Sequence, residues 1–284
     1  MKSLLIVLLA LGLWPAILAS ADAGVSQRIQ SLSLRLEQSP DSQALHMQRA
    51  LAYMEDNQPE LALSDIRKAE SLGEAVAAAY AHGVLLYREQ EYVDARLYFD
   101  RYLEAYPEHW GARNYRARLL RNIGQNPQAL ADYEVLMGLN DNLDPGYYIA
   151  TARLLAGQPE RGVDEALTLL DNRMAQIGTI STLQRYAIEL ERQRGNYDSA
   201  ITRLANLDAK LRATPQWQLE VAELLLEAGR TQEALPYLLV AQEQLQIGRP
   251  TAVNLALLEE ANQLLEAVAK AVRQVRNESS EDGR

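Results

Sequence analysis

EAVAAAYAHGVLLYREQEYVDARLYFDRYLEAYPEH, Glu74 to His109, carries two apolar-faced segments back to back. The spacing predicts one helix from about Ala75 to Glu89 and a second from about Tyr92 to Ala105, with Gln90 and Glu91 at the corner and Pro107 closing the unit. Gly83 is the small residue that lets the first helix lie close to the second, and Ala95 is the small residue that receives it. Tyr98, Phe99, Tyr102 and Leu103 recur at helical spacing and supply the apolar face. Neither helix can bury that face alone, so the unit needs a copy of itself on each side.

The copies are present. Ala62 lies 33 residues before Ala95, Ala129 lies 34 after it, and Ala200 and Ala234 are again 34 apart. A fixed period near 34 with a helix–turn–helix pattern is the mark of one repeat family. The chain resembles the tetratricopeptide repeat family at Gly83, Tyr92, Ala95, Phe99 and Pro107, and again at Ala117, Gly124, Ala129 and Tyr133. Ala50, Tyr53, Ala62, Ile66 and Ala69 fit an earlier copy; Gly195, Tyr197, Ala200 and Leu204, then Ala222, Gly229, Ala234, Leu238 and Ala241, fit two later ones. The copy over Tyr147–Met174 is degenerate: Gly157 fits the turn, Gly162 replaces the alanine, and the step to Ala200 stretches to 38. The family's first-helix tryptophan is missing from most copies. The resemblance covers roughly residues 40–247 and implies an all-α fold: a right-handed α-solenoid of about six helix–turn–helix repeats with capping helices at both ends.

Around that array the sequence divides as follows. Residues 1–21 read as a secretory leader: Lys2 begins it, Leu4 to Leu18 is uncharged, and Ala19-Ser20-Ala21 is a small-residue cleavage site, with Ala21-Asp22-Ala23 a second option and an uncleaved anchor the alternative reading. That run is too short for a comfortable membrane span. No cysteine is available for lipid attachment or for a disulfide. The leader gives a periplasmic or secreted protein of a bacterial envelope. Residues 22–38 read as a leading helix with apolar Val25, Ile29, Leu32, Leu34 and Leu36, capping the first repeat; the array occupies 39–248. A final helix over 249–277 shows Leu257, Ala261, Leu264, Val268, Val272 and Val275 in steps of three and four, and 278–284 is a polar, disordered tail.

The remaining chemistry is sparse. A net charge of −10 argues against nonspecific nucleic-acid binding, which needs cations facing phosphate, and against electrostatic adhesion to anionic lipid. His46, His82 and His109 are isolated and read as helix-packing residues, and the carboxylates, such as Glu259 and Glu260, read as solvated faces. Gly138–Gly146 is rich in acids and amides but lacks the glycine placement and final glutamate of a calcium loop, and reads as a capped helix start. There is no phosphate loop, no nucleophile elbow and no cysteine nucleophile. The expectation is a non-enzymatic protein without cofactor, metal or catalytic residues.

What remains is binding. The resemblance implies that the first helix of each pair lines a concave surface holding a partner peptide or helix. Carried onto this chain, the groove-facing positions are Tyr80, Tyr87 and Arg88 in the second copy; Asn114, Arg118 and Arg121 in the third; and Tyr147, Thr151 and Leu154 in the fourth. The spacing 114, 118, 121 puts an amide and two guanidinium groups on one helical face. An amide can bond a peptide backbone and arginine can grip a carboxylate by two parallel bonds, so an acidic segment or a free C-terminus is the expected ligand. The competing readings are an accessory subunit or hydrolase with its site in the groove, and a self-associating structural array.

Overall fold

The computed structural model describes residues 14–140, 143–159 and 162–281, and all regular structure in them is helical. The chain forms two compact units, the first ending at Asn142 and the second beginning at Leu143. The first holds α1 (Trp14–Gln38) and three pairs: α2 (Gln43–Glu55) with α3 (Pro59–Leu72), α4 (Ala75–Arg88) with α5 (Tyr92–Ala105), and α6 (Trp110–Asn122) with α7 (Asn126–Leu139). The second holds α8 (Pro145–Ala156) with α9 (Gly162–Ile177), α10 (Ser181–Gln193) with α11 (Tyr197–Ala205), a single turn α12 (Ala209–Arg212), α13 (Pro215–Glu227) with α14 (Thr231–Ile247), and a closing helix α15 (Ala252–Glu281).

The repeat is written into the backbone as well as the sequence. The corner inside a pair ends on a left-handed residue at Asn57, Gln90, Gly124, Gly195 and Gly229, with φ of 55°, 64°, 74°, 75° and 75°. At each, the following N–H reaches back to a carbonyl five residues earlier, as from Gln58 to Tyr53 at 2.8 Å and from Gln125 to Leu120 at 2.8 Å. This is the helix-ending motif that closes the last carbonyls and favours glycine; at Asn57 and Gln90 an L-residue holds the same conformation. Some helix starts are capped by side chains: Ser42 Oγ accepts from Leu45 N–H at 3.4 Å, and Asp144 Oδ1 accepts from Gly146 N–H at 2.7 Å. Asp144 therefore serves as a cap, while Asp141 and Asn142 of the same stretch lie outside the described residues.

The recurring alanines sit where neighbouring helices touch. Ala50, Ala62, Ala95, Ala117, Ala129, Ala200, Ala222 and Ala234 are all 0% exposed. Gly83 lies under the Phe99 ring: a Cβ there would stand 2.9 Å from Phe99 Cε1 and 3.0 Å from Cδ1. That ring in turn stacks on Tyr115 of the next repeat, with centroids 5.6 Å apart and planes 4° from parallel. In the degenerate pair, a Cβ on Gly162 would run into the Leu155 carbonyl oxygen, so α9 meets the end of α8 too closely for the alanine used elsewhere. Gly157 ends α8 in a right-handed conformation (φ −77°, ψ −5°), unlike the left-handed corners of the other pairs.

Both terminal helices cover their units, with differences from the expected bounds. Leu32 and Leu36 of α1 pack with Leu45 and Ala52 of α2, with Ile29 alongside; Leu34 falls on the outer face at 53% exposure. α1 begins at Trp14, so it runs through the expected cleavage site, and the leader residues before it lie outside the described chain. A cut after Ala21 would leave Asp22–Gln38 with all of its packing residues. Ala261 and Val268 of α15 enter the core of the second unit with Leu257 and Leu264 against it, whereas Val272 is 51% exposed. α15 continues to Glu281, past the end expected at residue 277, into the stretch read as a disordered tail; residues 282–284 are outside the described chain.

Candidate functional site

Two kinds of arginine distinguish the first unit. Asp65, 4% exposed, accepts from Arg49 Nε at 2.7 Å and Arg49 Nη2 at 2.8 Å, and bonds His46 Nδ1 at 2.8 Å. Asp132, 3% exposed, accepts from Arg116 Nε at 2.7 Å, Arg116 Nη2 at 2.7 Å and Arg113 Nη1 at 2.8 Å. The two arrangements occupy the same register of the first and third repeats, each joining an arginine to an aspartate 16 residues on. The second repeat puts His82 and Tyr98 there, with ring centroids 4.2 Å apart and planes tilted by 30°. His46 and His82 thus have structural partners: His46 also meets the Pro40 carbonyl at 2.9 Å, and His82 meets Glu70 at 3.1 Å. The common spacing was available in the sequence as a signal for these locks.

Arg118 and Arg121 differ. Both are exposed on α6, and among the described residues neither has a carboxylate within 4.0 Å. Arg118 lies over the Tyr87 ring at 5.6 Å from its centroid, a cation–π contact that leaves the guanidinium edge open. Burial pushes the Tyr87 hydroxyl up, with Arg118 and Arg121 pulling against it, so the two guanidinium groups share one field with this ring. Asn114 stands one turn before Arg118; its Oδ1 is buried without a hydrogen-bond partner among the described residues, an acceptor that a peptide N–H could reach only once the side chain turns.

The tyrosines beside them are held rigidly. Tyr80 meets Tyr102 at 5.5 Å and His109 at 4.8 Å; Tyr87 meets Tyr92 at 5.5 Å and Tyr115 at 5.0 Å. Burial, followed by the nearby Tyr115 and Tyr102, pushes the Tyr80 hydroxyl up to about 12. His109 caps α6 by accepting from Ala112 N–H at 3.1 Å through Nδ1, which requires that nitrogen unprotonated, and burial lowers its pKa in the same direction. These rings form a fixed wall next to the open arginines.

Other expected positions are committed elsewhere. Arg88 donates to the Met54 carbonyl and ties the second repeat to the first. Thr151 is 1% exposed and its hydroxyl donates to the Tyr147 carbonyl at 2.9 Å, one turn back, so it does not face a groove. Leu154 is buried at 6%. Tyr147 is half-buried in the second unit. The structure therefore brings together Tyr80, Tyr87, Asn114, Arg118 and Arg121, all on α4 and α6.

The second unit has a pocket the sequence reading missed. α10, α13 and α15 enclose a cavity of about 350 Å³ with apolar Ile188, Leu219 and Leu257 on its walls. Arg185 grips Glu220 at 2.8 and 3.0 Å, and Arg192 Nε donates to both oxygens of Glu227 at 3.0 and 2.9 Å. Glu223 and Glu260 face one another across the same cavity. Burial first, then a hydrogen bond to Glu260, holds the Glu223 carboxyl above the usual range, with Arg192 opposing. Glu260, read from the sequence as part of a solvated face, is half-buried in this wall.

Comparison with known proteins agrees with this architecture. The sequence model of the tetratricopeptide repeat matches residues 47–109, 80–143 and 187–249, together more than half of the chain. The chain belongs to the tetratricopeptide repeat family. No curated protein sequence matches it. Among solved structures it resembles the C-terminal part of a TPR repeat-containing protein from Cytophaga hutchinsonii, with TM-score 0.63 and 14% identity over 86% of this chain and 98% of that one. It also resembles pilF from Pseudomonas aeruginosa, with TM-score 0.52 and 22% identity over 73% of this chain and 95% of that one. A third likeness is to a chain of the Naa15/Naa10 complex bound to HypK-THB, with TM-score 0.53 and 15% identity over 94% of this chain and 40% of that one. At these identities the likenesses show the fold.

Proposed function

We propose that this protein is a non-enzymatic adaptor of the bacterial envelope whose first unit holds an acidic segment or free C-terminus of a protein partner on the face shared by α4 and α6. One observation carries the reading: in a chain of net charge −10, Arg118 and Arg121 stay exposed on one helical face with no carboxylate within 4.0 Å among the described residues. Guanidinium groups left open beside fixed aromatic walls suit a carboxylate, which accepts two parallel N–H bonds, and the tyrosines add contact area at little entropic cost. The family to which the chain belongs is one of protein-interaction scaffolds. The envelope address rests on Lys2, the uncharged Leu4–Leu18 run and Ala19-Ser20-Ala21.

The test is fluorescence anisotropy with a labelled acidic peptide ending in a free carboxylate, alongside pull-down from a periplasmic extract. Charge-assisted hydrogen bonds contribute roughly 1.5–3 kcal/mol each, so Arg118→Ala/Arg121→Ala should weaken the peptide at least about tenfold and deplete specific partners from the pull-down. Equal affinity of wild type and double variant would remove the site.

A further inference from the structure

The cavity of the second unit carries an inference separate from the first unit's ligand. Its charged lining comprises Arg185 and Arg192 against Glu189, Glu220, Glu223 and Glu260. Both arginines are already engaged: Arg185 Nη1 donates to both oxygens of Glu220 and Arg192 Nε to both oxygens of Glu227. Arg192 reaches Glu223 only at 3.7 Å, too long for a hydrogen bond. Glu223 thus has only a long ion pair to Arg192 and faces Glu260 in the same cavity wall, and burial with that second carboxylate nearby holds the Glu223 carboxyl above its usual range. A cation seated there would donate to both carboxylates and offset their like charge.

Size and lining narrow the cation. The volume of about 350 Å³ is in the range of small-ligand pockets, roughly 300–1,000 Å³. Apolar Ile188, Leu219 and Leu257 lie in the same walls as the acids, the combination that a long side chain with a methylene stem and charged tip needs. Among the described residues no three acids or histidines gather closely enough to hold a metal ion, and the apolar walls beside the acids favour an organic cation. We propose that this cavity receives an arginine or lysine side chain of a protein partner, its charged tip between Glu223 and Glu260 and its stem against Leu219 and Leu257. The second unit thereby reads the opposite charge from the first.

The experiment is calorimetric titration of the full chain with a capped seven-residue peptide bearing one central arginine, and with the same peptide carrying neutral, isosteric citrulline. Wild type should bind the arginine peptide and lose at least about tenfold in affinity with citrulline; Glu223→Gln/Glu260→Gln, which keeps the size and shape of both side chains, should lose a similar factor with arginine. Far-UV circular dichroism checks that the variant is folded, and Glu259→Gln, on the exposed face of α15 outside the cavity, should bind like wild type. Equal binding of the citrulline peptide, or undiminished binding by the double variant, would overturn the proposal. So would spermidine binding as tightly as the arginine peptide, since the site would then be one for a free polyamine. Arg118→Ala/Arg121→Ala leaves this cavity untouched and should bind the arginine peptide like wild type, so failure of one site is distinguishable from failure of the other.

Discussion

Removing the Asp132 carboxylate tests whether the repeats are locked as the geometry implies. Asp132 is 3% exposed and accepts three bonds of 2.7–2.8 Å from Arg113 and Arg116. Breaking a buried pair by deleting one partner costs about 3–5 kcal/mol, because the remaining charge is stranded. Arg116 keeps a second bond to Asp100 at 2.8 Å, and Arg113 keeps the Pro107 carbonyl, so Asp132→Ala should fall at the lower end, about 3 kcal/mol. Hydrogen exchange followed by mass spectrometry over α6 and α7 reads the opening of that repeat directly. A loss of this size speeds exchange on the order of 100-fold, since each 1.4 kcal/mol is tenfold. The control is Arg113→Met/Arg116→Met/Asp132→Leu, which strands no charge and should lose less than Asp132→Ala alone. If Asp132→Ala exchanges less than about fivefold faster than wild type, or the triple variant loses more than the single one, the stranded-charge reasoning fails.

Four further outcomes follow from the same geometry. Gln90→Gly should stabilise the first unit by about 0.5–1 kcal/mol in urea unfolding, because an L-residue in the left-handed region costs roughly 1–2 kcal/mol and glycine's extra unfolded-state entropy takes back part of it. Gly83→Ala should destabilise by up to about 2 kcal/mol, overpacking against Phe99 outweighing the gain in helix propensity, and Phe99→Leu in the same chain should relieve it; an additive double variant would count against the contact. The raised pKa values of Tyr80 and Glu223 act on stability with the same sign. The neutral form of Tyr80 is favoured by the fold, so its contribution is present below its ordinary value of 10 and lost as pH rises towards about 12. Tyr80→Phe should therefore move the alkaline unfolding midpoint upward. Glu223, also held above its usual value, contributes below about 4.5 and loses that contribution as pH rises. Glu223→Gln should then melt higher than wild type at pH 7, with the gap closing as pH falls to 4.

The repeat period, the corners and the small-residue contacts follow from the sequence alone. Helical periodicity and a fixed 33–34-residue step are local and additive, so the buried alanines from Ala50 to Ala234 and the corners at Gln90, Gly124, Gly195 and Gly229 fall where the pattern puts them. The face shared by Asn114, Arg118 and Arg121 is equally legible, because residues three and four apart share one side of any helix. Which arginines are free to bind is not. Arg88 is taken by the Met54 carbonyl 34 residues away, Arg185 by Glu220 and Arg192 by Glu227 35 residues away, while Arg118 and Arg121 are left open. Glu260 meets Glu223 only because α15 lies along α13. Sequence spacing determines the side of a helix on which a charge stands; the packing of one helix against the next decides whether an opposite charge is already within reach.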